Sequence, residues 1–143
     1  MNNIVNIVNF IRAIEPRVGR GELDLFEPVR EQMAIAKRLK LPTTWLLQYD
    51  ALIQGPFVEF LKREMPENHE VGIWFETVQP NVEAAGIKWR GEHSWVSHAN
   101  IAFSTGYTKE ERERLVDVYM AKFKEIFGTY PKSVGSWFID AHT

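Results

Sequence analysis

Four short apolar runs, separated by longer amphipathic segments, organise this chain and admit few folds. The first run, Ile4 to Arg12, is apolar except for asparagines at 6 and 9. Its wealth of Ile and Val favours a strand over a helix. Thr43 to Gln48 (TTWLLQ), Glu70 to Glu76 (EVGIWFE) and Ser133 to Ile139 (SVGSWFI) read as three further strands.

The segments between them carry helix signals. Asp24-Leu25-Phe26-Glu27 has the form of a capping box with Pro28 just inside, and apolar residues at 25, 26, 29, 33 and 36 make one stripe before Leu41-Pro42 ends the helix. Pro56 opens a second helix bearing Phe57, Val58, Phe60 and Leu61, closed by Pro66. A brief helix over 80–85 stops at Gly86. Thr108-Lys109-Glu110-Glu111 is the clearest capping box; the helix behind it carries Leu115, Val116, Tyr119, Met120, Phe123, Ile126 and Phe127 and ends at Gly128. The order β-α-β-α-β-α-α-β, with near-continuous apolar strands, predicts a single α/β domain over 1–143: a parallel sheet covered by helices, either doubly wound or an arc of a barrel. Only Ile14-Glu15-Pro16-Arg17 follows the first strand, so no glycine fingerprint supports a dinucleotide site.

Composition removes several functions. The net charge is −2 over 143 residues and no Lys/Arg stripe forms, which disfavours nucleic acid as a partner. With no cysteine, disulfides, thiolate metal sites and a cysteine nucleophile are excluded. The apolar runs are too short to span a bilayer, and MNNIVNIVNF lacks the basic start and cleavage site of a signal peptide, so a soluble chain of unassigned compartment is expected. Aromatic residues reach 13%, with 5 Trp, as sugar-binding surfaces and aromatic cores both require.

In parallel α/β folds functional groups sit past the carboxyl ends of the strands. That rule selects Arg12, Glu15 and Arg17; Gln48, Tyr49 and Asp50; Trp74 and Glu76; and Trp137, Asp140 and His142. The long connection 87–107, read as lacking secondary structure, adds Trp89, Arg90, His93, Trp95 and His98 as stacking surfaces and donors for a sugar ring, or as a lid whose aromatics only pack. Glu76 and Asp140 emerge from aromatic surroundings, which suits the acid and base of glycoside hydrolysis; Glu15, between two arginines, suits an ion pair. The alternative is that all three are structural ion-pair partners. No compact metal motif joins His69, His93, His98 and His142, so neither metal nor cofactor is expected.

LPTTWLLQYDAL resembles the second-strand segment of polysaccharide deacetylases, and HEVGIWFETVQP their third-strand motif. NFIRAIEPR, PTTWLLQYDAL, EAAGIKWRG, GYTKEERERLVD and YPKSVGSWFIDAHT together resemble the N-terminal domain of an uncharacterised bacterial family grouped with glycoside hydrolases and divergent deacetylase-like barrels. The resemblance covers nearly the whole chain and implies the first half, about four β/α units, of a distorted (β/α) barrel acting on carbohydrate. Two departures qualify it. Ile11-Arg12 stand where deacetylases carry an Asp pair, and Trp74 stands for a metal-binding histidine, which argues against metal-dependent deacetylation. The chain also stops just past the fourth strand, so a homodimer, or a further half that this chain lacks, is expected to cover the open interior. The sequence thus leaves two functions in play, a metal-independent glycoside hydrolase and a non-catalytic glycan- or partner-binding half-barrel.

Overall fold

The computed structural model describes residues 5–15 and 23–138. Four parallel strands, β1 (Ile7–Ile11), β2 (Thr43–Leu47), β3 (Glu70–Trp74) and β4 (Val134–Gly135), lie side by side in chain order. They form a curled half-barrel, an arrangement consistent with a partial β/α barrel. The helices are α1 (Glu27–Leu39), α2 (Tyr49–Leu52), α3 (Gly55–Glu64), α4 (Gln79–Ala84), α5 (Ala99–Ala102) and α6 (Lys109–Phe127). The four strands and the four longer helices match the expected positions. Two elements do not: α2 follows β2 at once, and the 87–107 connection contains α5 and a 3-10 turn at Ser104–Gly106 instead of being irregular throughout.

Local chemistry explains most boundaries. At α6 the Thr108 hydroxyl accepts from the Glu111 amide (3.2 Å) while the Glu111 carboxylate accepts from the Thr108 amide (2.9 Å). Gly128, at φ 78°, closes that helix in the left-handed conformation that glycine adopts without a Cβ clash. The box expected at Asp24 is different: its carboxylate accepts from the Phe26 and Glu27 amides, and Glu27 makes no reciprocal bond because the helix starts there. That helix ends at Lys40, at φ 54°, before Leu41-Pro42 is reached.

The register assigns every strand residue a face. Ile11, Leu47 and Ile73 form one row, and with Trp45 and Phe75 they share a core with Val29 and Met33 of α1, Phe57, Phe60 and Leu61 of α3, and Leu115, Tyr119 and Phe123 of α6. The helices therefore cover that face. The alternating row, Phe10, Leu46 and Gly72, lies on the other, concave face together with Trp74 and Gly135. Glycine has a steric purpose here. A Cβ on Gly135 would meet Leu46 Cδ1 at 2.6 Å and the Trp74 ring at 3.0 Å, so small residues on β3 and β4 make room for large ones. A Cβ on Gly72 would overlap the Ser133 carbonyl and hydroxyl. Gly72→Ala is therefore expected to part β4 from β3 and to destabilise the fold by about 1–3 kcal/mol in urea titration; an unchanged midpoint would show that β4 shifts freely.

Candidate functional site

Beyond Leu47 and Trp74 the chain leaves β2 and β3, and the side chains that follow converge above the concave face. Glu76 lies at the centre, only 3% exposed. Its Oε2 accepts from the Gln48 side-chain amide (2.9 Å) and the Trp74 indole N–H (3.1 Å), and its Oε1 from the Trp95 indole N–H (3.0 Å). All three donors are neutral, and among the described residues no cation forms an ion pair with this carboxylate. Gln48 is itself fully buried, and its Oε1 has no hydrogen-bond partner among the described residues.

An aromatic wall rises beside the carboxylate. Phe10 stacks on Trp74 with centroids 4.7 Å apart, and Trp137 meets both edge-on at 5.5 and 5.2 Å. Trp137 is 59% exposed and so presents much of its indole to solvent. The Arg12 guanidinium lies over the rings of Phe10 and Trp95, 5.2 Å from each centroid, and pairs with Glu15 at 3.4 Å.

The 87–107 connection is strapped to the end of β3. The Thr77 amide donates to the Ala102 carbonyl (2.9 Å), the Thr77 hydroxyl to the Ile101 carbonyl, and the Gln79 amide to the Ser94 carbonyl (2.8 Å). Trp95 is thereby carried onto Glu76. Behind Trp95 opens a cleft of about 430 Å³ whose lining includes Arg90, His93, Ser97, His98 and Ile101. A second opening, about 480 Å³, lies at the amino end of β3 around His69, Phe123 and Tyr130. That is the end of a β/α barrel associated with stability rather than chemistry. There the buried Trp45 indole donates to His69 Nδ1 (3.1 Å), and burial holds the imidazole below its ordinary pKa.

Several residues expected at the ligand site make structural contacts. Tyr49 and Asp50 belong to α2: Tyr49 is buried edge-on against Tyr119 (5.0 Å), so it packs the core and cannot face a mouth. Asp50 is 1% exposed, and its carboxylate accepts from the Ala13 amide (2.9 Å) and the Ala51 amide (2.8 Å), tying the segment after β1 to α2. Burial pushes Asp50 up to about 6, against the opposing pull of the Ala13, Ala51 and Ile14 amides and of Arg12. Arg90 donates to the Gly106 carbonyl (2.8 Å) and to Glu111 (2.7 Å) and covers Tyr107, so it braces the loop against α6. Trp89 donates to the His93 carbonyl (2.9 Å). Arg17, Asp140 and His142 lie outside the described residues.

No family model, curated protein or solved structure matches the chain. The site therefore rests on its own geometry. Among the described residues no group of three or more His, Asp or Glu side chains could hold a metal ion, and no helix is long and apolar enough to cross a membrane. At the site itself, the partnership of Trp95 with Glu76 escaped the sequence reading. Its only advance sign was an aromatic residue in a long connection that had to pack on something.

Proposed function

We propose that this chain is a carbohydrate-active domain, part of a metal-independent glycoside hydrolase whose sugar site is the aromatic mouth above β2 and β3. The observation that carries the reading is a buried carboxylate, Glu76, held by three neutral N–H donors and, among the described residues, by no cation, beside a stacked Phe10–Trp74–Trp137 wall. Aromatic faces suit the C–H surfaces of a pyranose ring. A carboxylate held by neutral donors suits the positive charge that develops on an oxocarbenium-like transition state. Glu76 then serves as base or electrostatic stabiliser, and Asp140, the other candidate from the sequence, as proton donor. Exposed Trp137, with Trp74 and Arg12, supplies the sugar contacts. The resemblance to deacetylases extends the proposal to a barrel of that type, while Ile11, Arg12 and Trp74 at the ligand positions place deacetylation behind hydrolysis.

The burial of Glu76 favours a second reading, a non-catalytic glycan-binding module, because both carboxylate oxygens already serve neighbouring side chains. Calorimetry and reducing-end release over a panel of oligosaccharides separate the two. In a hydrolase, Glu76→Gln is expected to abolish release while Trp137→Ala weakens binding about tenfold. Binding without release would establish the module. No binding by any glycan of the panel would overturn both.

A further inference from the structure

The two edges of the half-barrel share an unusual property. Among the described residues β1 pairs only with β2 and β4 only with β3, so each presents unpaired backbone groups on its outer side. Large apolar side chains gather at the same two edges: Val5 and Val8 at β1 are 81% and 53% exposed, and Val134, Trp137 and Phe138 at β4 are 45%, 59% and 55% exposed.

We propose that a second copy of this chain closes the barrel, with a two-fold axis running along the barrel axis. Four curled parallel strands with helices outside are half of an eight-stranded β/α barrel. A two-fold along the axis keeps all eight strands parallel. It sets β4 of each copy beside β1 of the other, so the exposed valines of one edge meet Val134 and Phe138 of the other, Trp137 stays at the mouth, and no free edge remains. The concave face carrying Phe10, Leu46 and Trp74 becomes the shared interior. The same rotation places Glu76 of each copy on opposite walls of one mouth, so the assembled barrel carries paired carboxylates.

Size exclusion with light scattering on the intact chain tests the assembly. The expected species is a dimer of about 33 kDa, twice the 16.6 kDa of one chain. Val8→Lys, on a half-exposed residue whose change leaves the monomer core intact, is expected to raise the dissociation constant at least about tenfold, with an unchanged far-ultraviolet circular dichroism spectrum. Leu39→Lys, on the outer helix α1 at 56% exposure, is expected to leave the dimer unaffected. A stable monomer, an open series of larger oligomers, or a dimer indifferent to Val8→Lys would each overturn the proposal.

Discussion

Glu76→Leu is expected to cost the fold about 3–9 kcal/mol, whatever its effect on activity. The substitution removes the acceptor that two indole N–H groups and one amide share, and each unsatisfied buried donor costs about 1–3 kcal/mol. A loss of that size consumes much of the 5–15 kcal/mol that holds a domain of this kind together. Glu76→Gln keeps one oxygen and is expected to cost only about 1–3 kcal/mol, which makes it the better probe of chemistry. Urea titration followed by tryptophan fluorescence reads both, since Trp74 and Trp95 report directly on the carboxylate. If Leu and Gln destabilise equally, by less than about 1 kcal/mol, the three donors find water instead and the network described for this site is wrong.

The second large effect is a pH dependence centred on Asp50. Its native pKa, about 6, stands above the usual carboxylate value of 3.8, so the folded chain holds this proton more tightly than the unfolded chain does. The sign follows: this group's contribution is most favourable below pH 3.8 and is lost as pH rises through about 6. The full span corresponds to about 3 kcal/mol. Asp50→Asn removes the titration. It also removes one of the two oxygens that serve the Ala13 and Ala51 amides, so the variant is destabilised most at low pH. Unfolding free energies of the two proteins between pH 4 and 7 should therefore converge as pH rises, other carboxylates cancelling in the comparison. A difference that stays constant over this range would remove burial as the dominant influence on Asp50.

The strands were legible because a parallel strand covered on one face by helices and lined on the other by large side chains reads as a continuous apolar run. The same property hid which face each residue takes. Trp45 and Trp74 look alike in sequence, yet one is sealed among the helices and the other lines the concave side, and only the strand register distinguishes them. Prolines and capping boxes marked α1, α3 and α6, whereas α2 and α5, at four residues each, are too short for any periodicity to show. Glu76 stood out by its place just after a strand and behind two aromatics. The roles of Arg90 and Tyr49 did not, because their partners, Glu111 and Tyr119, lie on α6, far away in the chain.

Tyr119 ties that distant helix to the mouth in another way. From α6, on the outer layer, its hydroxyl donates to the Trp74 carbonyl at 2.8 Å and lies 3.3 Å from the Leu47 carbonyl, the last residues of β3 and β2. Burial, reinforced by the charges of Asp50 and Glu76, pushes the phenol well above its ordinary pKa, so the donor keeps its proton across the physiological range. One phenol thus acts as a gauge block between two strands. It fixes the spacing at which Gln48 and Trp74 reach a common carboxylate, and the tolerance of the mouth is machined from the outside of the barrel rather than from within it.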